Sequence, residues 1–392
     1  MSLNIVVDRH HVPNIYLSST DHFLMNYWNP KTREVIPREL AHQPNINIIT
    51  PDKIDDVDWF IYPVILNEPF YFVREFMFLD HPLGFWRRVN PEIKKRIDQG
   101  KGIVYVAMNS EPVDKFDLEA LVDIFVESGE KRIVFNIHHS KYEKEGFVSF
   151  PGWMEDYEFT TLKHKHFLDS SSESKLVKNP TQKKYLLANQ RYEKHTGAVL
   201  ITSLLDQNNL FKDGYVYVSE PESISEFYED TKIQLNSTSK LHDVDVPKIK
   251  NINDLMETPL VFTQVMQSAY INLVVEAYYS DYMINYPFVT EKIWRNLVYR
   301  KPFICVGQKH ILKQLHHWGY KTFHPWIDEE YDNLDDDDRI FAIFDQVKKL
   351  CSMSDAEVAT MCGEMEHIHD HNIKNFHRRC EDFGTYLRQL KT

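Results

Sequence analysis

The chain alternates short apolar runs with stretches whose apolar positions recur at helical spacing. LNIVVD (3–8), WFIYPVIL (59–66), GIVYVAM (102–108) and RIVFNIHH (132–139) are rich in Val and Ile and bounded by polar turns, which predicts buried strands. FDLEALVDIFVESGE (116–130) carries its apolar residues at helical spacing and stops at Gly129, the pattern of a helix with its C-terminal signal. Strand, helix, strand in that order implies parallel pairing through right-handed crossovers.

Residues 169–182, DSSSESKLVKNPTQ, have no periodicity and collect Ser, Lys and Pro, which predicts a linker. A second series follows. KKYLLANQ (183–190), GYVYVSE (214–220), INLVVEA (271–277) and PFICVG (302–307) read as strands, and HTGAVLITSLLDQ (195–207), EKIWRNLVYR (291–300) and HILKQLHHWGY (310–320) as helices. Two helical stretches, about 338–352 and 354–390, close the chain. The expected class is therefore α/β with two Rossmann-like domains, residues 1–168 and 183–392, facing a central cleft, the arrangement called GT-B. The first domain is expected to bind an acceptor and the second a nucleotide.

The most informative stretch is FVTEKIWRNLVYRKPFICVG (288–307). Ligands of open parallel sheets sit outside the carboxyl ends of the strands, at helix N-termini where free N–H groups and the dipole favour anions. Thr290 is a plausible N-cap, with Glu291 and Lys292 in the first turn. A lysine there is unfavourable for an isolated helix, whose N-terminus is already positive. A bound anion such as a pyrophosphate would remove the misfit; a well-capped surface helix is the other reading of the same residues.

These residues resemble the donor-binding signature of the α-1,3-fucosyltransferase family, in which Tyr or Phe-x-Thr-Glu-Lys precedes a helix and a strand ending near Gly. INLVVEAYYSDY, with its apolar strand ending at Glu276, is similar to the segment upstream of that signature, although Ala277-Tyr278 stands where the family has Asn-Ser. The resemblance implies that Glu291 holds the nucleotide ribose, that Lys292 neutralises the diphosphate, and that Phe288 lies close to the sugar or nucleotide. The run LKQLHHWGYKTFHPWIDEEYD beyond Gly307 looks like glycosyltransferases carried by viruses and bacteria.

KKYLLANQRYEKH (183–195) is a strand running into a polar turn, so Asn189, Arg191 and His195 are expected at the same sheet edge as Lys292. In the resembling enzymes a basic residue after this strand grips the donor phosphate. Arg191, with its planar fork, suits that role, and Lys194 stands behind it. An inverting transfer also needs a base for the acceptor hydroxyl. Glu111, in the proline-opened loop after 102–108, is the candidate, with Asp8, His10 and His11 as competitors. Trp86, Arg87 and Arg88 are candidates to meet an anionic acceptor.

No metal and no cofactor is expected, the donor being a GDP- or UDP-linked sugar. DVDV (243–246) and DNLDDDD (332–338) read as exposed, irregular stretches, the second as a solvated acidic loop. His367 and His371 stand one helical turn apart without the HExxH pattern.

Composition narrows the picture further. The net charge of −13 disfavours a sequence-blind nucleic-acid binder, while RYEKH and FWRR leave room for a local basic groove. Eight of the eleven residues from Asp328 to Asp338 are acidic and supply much of that charge. Only 12 glycines, without GxGxxG or GxxxxGK[ST], disfavour dehydrogenases and P-loop NTPases. The four cysteines lack a CxxC pair, and no signal peptide or long apolar run is evident, which points to a reduced, cytoplasmic setting.

The expected activity is transfer of a sugar from a nucleotide-diphosphate sugar to a hydroxyl, inverting and metal-independent. The acceptor is a glycan or, if the chain is viral, a hydroxymethylated DNA base flipped out of the duplex. The alternative is a catalytically inactive nucleotide-sugar-binding or scaffold protein on the same frame.

Overall fold

The computed structural model describes residues 3–6, 46–65, 90–107, 123, 131–136, 146–149, 182–189, 196–218, 269–280 and 286–390. The chain divides into two compact units, Met1–Asp156 with Phe376–Thr392, and Tyr157–Asn375. The final residues thus belong with the first unit, whereas the sequence pattern suggested grouping them with the second.

In the first unit the elements are β1 (Leu3–Val6), β2 (Ile46–Ile49), β3 (Phe60–Ile65), α1 (Pro91–Asp98), β4 (Gly102–Ala107), β5 (Ile133–Asn136) and β6 (Phe147–Val148). They build a six-stranded sheet in the order β2-β1-β3-β4-β5-β6, and every pairing is parallel. Ile5, Phe60, Ile61, Val104, Tyr105 and Phe135 are fully buried, as expected of parallel strands covered on both faces. The start of α1 follows helix-entry chemistry: Asn90 caps it by accepting from the Glu92 N–H at 3.0 Å, and Pro91 opens the first turn. Arg96 ties α1 to the preceding segment through Asp55 at 2.6 Å and the Val57 carbonyl at 2.5 Å.

In the second unit the elements are β7 (Lys183–Asn189), α2 (Thr196–Gln207), β8 (Gly214–Val218), β9 (Ala269–Val275), α3 (Glu291–Val298), β10 (Phe303–Val306), α4 (Ile311–His317), α5 (Asp336–Ser352), α6 (Asp355–Glu364) and α7 (Glu366–Gln389), whose last turns pass into the first unit. The sheet runs β10-β9-β7-β8, again wholly parallel. From β7 the chain crosses to β8 on one side, and β9 and β10 lie on the other. The order therefore reverses between β7 and β9, and a crevice opens at such a point outside the carboxyl ends. α2 is buried on every side from Gly197 to Leu205. Gly197 is needed there, because an added Cβ would lie 3.0 Å from Val306 Cγ1 and 3.1 Å from the Tyr279 ring.

The stretch 354–390 was expected to be one helical run, but it divides at Met365. Ser354 closes a capping box with Glu357 to start α6, and α7 begins at Glu366. His369 on α7 is 1% exposed and packs on Phe323 with ring centroids 5.7 Å apart. Burial lowers its pKa from 6.5 to about 4, a shift that Glu366 and Asp370 oppose and that Arg300 and Lys301 reinforce. Because the folded value lies below the unfolded one, the unfolded chain takes up the proton first. Stability from this site is intact above about pH 6.5 and is lost as pH falls toward 4, by about 3 kcal/mol in total. Urea unfolding followed across that range should show the loss in the wild type and not in His369→Phe. Burial raises the pKa of Glu329 and of Asp332, which act in the opposite sense in both proteins and cancel in the comparison.

Candidate functional site

The site is built where β9, β10 and the entry of α3 converge. Val275 pairs with Val306 at the end of the β9–β10 ladder, and the Glu276 N–H donates to the Val306 carbonyl at 3.0 Å. Glu276 therefore stands level with Gly307 just beyond the strand ends. A Cβ on Gly307 would lie 3.4 Å from that of Glu276 and 3.1 Å from Ile311 Cδ1, so a bare backbone lets the two segments close.

Glu276 is 1% exposed, yet both of its carboxylate oxygens are engaged. One accepts the Thr290 N–H at 3.2 Å and the other accepts the Thr290 hydroxyl proton. The Thr290 oxygen in turn accepts from the Lys292 N–H at 3.4 Å and from Lys292 Nζ at 3.1 Å. The threonine thus caps α3 as the sequence predicts, and it also links a buried carboxylate to an ammonium on the first turn. A hydroxyl offers one proton and two lone pairs. All are used here: the proton goes to Glu276 and the lone pairs receive the two Lys292 donors.

α3 is held in place by its other face. Ile293, Trp294 and Leu297 are buried, and Trp294 packs on Trp318 and Tyr320 at 5.7 and 5.3 Å between centroids. Asn296 accepts from Asn272 Nδ2 of β9 at 2.5 Å and donates to the Lys292 carbonyl at 2.8 Å. This buried amide pair fixes the helix to the strand whose end carries Glu276. Thr290→Val should therefore destabilise the protein by about 2–4 kcal/mol, combining the lost cap with a buried carboxylate short of a donor. Thr290→Ser should recover most of that in urea unfolding.

Gln308 and Arg339 were not singled out from the sequence. Gln308, 1% exposed, accepts the Phe288 N–H at 3.0 Å and holds the 286–290 turn to the end of β10. Phe288 itself is buried, its ring set edge-on to Tyr278 with centroids 6.0 Å apart. Arg339 is also buried. It donates to the carbonyls of Gly307 (3.0 Å), Leu334 (2.8 Å) and Tyr279 (2.6 Å) and to Asp336 (2.6 Å), and its guanidinium lies 4.6 Å from the Tyr279 ring centre. One side chain thereby pins the loops after both β9 and β10.

The run 332–338 is exposed at 333–335, 337 and 338, as its composition suggests, but Asp332 is buried, Asp336 is half-buried, and a helix, not a loop, begins at Asp336. Asp332 is 5% exposed and accepts the Leu312 and Lys313 N–H groups at 3.1 Å each. Asp336 pairs with Arg339, and Lys309 with Asp335 at 2.8 Å. The backbone donors of α4 and a buried arginine absorb the charges of Asp332 and Asp336, while Asp335, Asp337 and Asp338 stay exposed. His367 and His371 diverge as well, meeting the Glu364 carbonyl at 2.8 Å and the Gly319 carbonyl at 2.9 Å. Among the described residues no group of three or more His, Cys, Asp or Glu is placed to hold a metal ion.

Asn189 is the last residue of β7, and the β7–β9 register carried forward sets it level with Val275, on the opposite side of β9 from β10. Its backbone is thus at the reversal point beside Glu276. The side chains of Asn189 and Glu291 lie outside the described residues, as do Asp8, His10, His11, Trp86, Arg87, Arg88, Glu111, Arg191, Lys194, His195, the 243–246 run and the predicted helix 116–130 save Asp123.

No protein-family model matches the chain, and no curated protein matches it. Among solved structures it is similar to "T4 phage BGT in complex with UDP and Mn2+", with 13% identity, 99% of each chain covered and a TM-score of 0.39. Among the described residues no helix is long and apolar enough to cross a membrane.

Proposed function

We propose that this chain is a glycosyltransferase of the GT-B arrangement, moving a sugar from a nucleotide-diphosphate donor to an acceptor hydroxyl. The observation that carries the reading is the Glu276–Thr290–Lys292 chain at the mouth of α3, beside the point where the strand order of the second sheet reverses. A cation on the first turn of a helix opposes the dipole; a diphosphate there satisfies both the helix N–H groups and the ammonium.

In this mechanism Lys292 and the α3 N-terminus stabilise the negative charge that builds on the leaving diphosphate, while Arg191 grips a phosphate through its fork. Glu291 and Asn189 hold the ribose and neighbouring groups. Glu276 and Phe288 act from beneath, the first by fixing Thr290 and the second by forming the floor of the turn. Glu111 takes the proton of the attacking hydroxyl, so that inversion proceeds without a metal ion. The acceptor is a glycan or a hydroxymethylated DNA base.

Thermal unfolding of the full chain with GDP, UDP and their sugar conjugates tests the reading. A nucleotide at 100 times its dissociation constant should add about 2.7 kcal/mol of stability. Transfer should continue in EDTA. If none of these nucleotides raises the unfolding midpoint, the donor-site assignment is wrong.

A further inference from the structure

Burying a carboxylate is costly, and a helix cap does not require one. Glu276 is nonetheless 1% exposed, one residue past the end of β9, and its oxygens take the Thr290 N–H at 3.2 Å and the Thr290 hydroxyl proton. Capping of α3 uses only the Thr290 oxygen, which accepts the Lys292 N–H at 3.4 Å. The shorter bond to that oxygen, 3.1 Å, comes from Lys292 Nζ. A carboxylate behind the hydroxyl therefore serves the side chain of Lys292 more than it serves the cap.

The direction of each bond explains how. Glu276 meets Thr290 as an acceptor at both oxygens, which is what an ionised carboxylate offers. The hydroxyl proton then has one place to go, and both lone pairs of the Thr290 oxygen are turned toward Lys292. The chain has a fixed polarity: ammonium to hydroxyl, hydroxyl to carboxylate. It also places a negative charge two hydrogen bonds from the ammonium. A lysine side chain loses much rotamer freedom when it is held. Holding it before a ligand arrives moves that cost from binding to folding, which raises the affinity for a phosphate at the helix mouth.

A glutamine cannot reproduce this polarity. With its oxygen toward the Thr290 N–H, its amide nitrogen donates to the hydroxyl oxygen and takes a lone pair that Lys292 uses. The hydroxyl proton is then driven toward the ammonium. Turned the other way, the amide nitrogen faces the Thr290 N–H, donor against donor. Either orientation breaks the chain while leaving the shape of the side chain almost unchanged.

We infer that Glu276 is a positioning residue for the donor diphosphate, acting through Thr290 to set the place of the Lys292 ammonium. This rests on the reading of the α3 mouth as the donor site, and it goes further by making the polarity of a buried hydrogen-bond chain a determinant of donor affinity.

A double-mutant cycle on the full chain tests it, with calorimetric titration of GDP and UDP. Glu276→Gln should weaken the better-bound nucleotide about tenfold, or about 1.4 kcal/mol. In the Lys292→Ala background the same substitution should change affinity by less than about twofold, because the group it acts through is gone. Thr290→Val cuts the chain at its middle and should show the same dependence on Lys292, with Thr290→Ser restoring affinity; this arm decides the matter if Glu276→Gln does not unfold cooperatively in urea. A carboxylate that only stabilises the fold would lower affinity equally in both backgrounds, and that result overturns the inference, as does wild-type affinity in Glu276→Gln. In either case a loss of affinity in Lys292→Ala alone would leave the donor site standing. If the wild type binds neither GDP nor UDP, the donor site and its positioning residue fall together.

Discussion

Lys292→Ala is expected to weaken binding of a nucleoside diphosphate about 100-fold while changing the stability of the ligand-free protein by no more than about 1 kcal/mol. The two halves of this expectation have different causes. A charge-assisted hydrogen bond to a phosphate is worth about 1.5–3 kcal/mol, and 100-fold corresponds to about 2.7 kcal/mol. Without a ligand, the ammonium sits on the first turn of α3, where the helix dipole disfavours a cation by about 0.3–1 kcal/mol, a cost that its hydrogen bond to the Thr290 hydroxyl beside the buried Glu276 carboxylate offsets. A lysine kept for stability would instead cost several kcal/mol when removed. Calorimetric titration of GDP and UDP, paired with urea unfolding of the free proteins, measures both quantities. Unchanged affinity, or a variant several kcal/mol less stable, would contradict the role assigned to Lys292.

Arg339→Met should cost about 3–5 kcal/mol of stability, the usual penalty for breaking a buried, hydrogen-bonded charge. The methionine fills much of the space but leaves the Gly307, Tyr279 and Leu334 carbonyls without their donor and Asp336 without its partner. Arg339→Lys should recover little, since one ammonium cannot span four acceptors reached by a planar fork. Hydrogen exchange should then accelerate at 276–280 and 307–310, the loops that Arg339 joins. A lysine variant within 1 kcal/mol of the wild type on urea unfolding would show that the guanidinium's geometry is immaterial.

How much of this could be read from the chain differs from element to element. β7, β9 and β10 announce themselves as continuous apolar runs because parallel strands are covered on both faces. α3 is legible because Thr290 caps it and Ile293, Trp294 and Leu297 recur at helical spacing. β2 was missed: its four residues, INII, include an asparagine and have exposed members at 47 and 48, so no apolar run stands out. α1 was missed because eight residues dominated by charge carry only Ile93 and Ile97 as buried positions. Gln308, two residues past the end of β10, offered only its position as a signal.

The acid-rich stretch shows why local composition has limits. Charge alone implies a solvated loop, and nothing in 328–338 tells that Asp332 will meet the N–H groups of α4 or that Asp336 will meet a buried guanidinium.

By itself, the sequence determined the α/β class, most of the described strands and helices in their order, and the cluster of Thr, Glu and Lys at one helix entry. Those features depend on hydrophobic periodicity and capping, which act over a few residues. Only the tertiary structure decided that Glu276 is a buried anchor of Thr290, that Arg339 binds two loops together, and that the last turns of α7 serve the first unit. Each of these joins residues that a local pattern cannot relate, because the partner of a buried polar group is chosen by which strand ends meet in space.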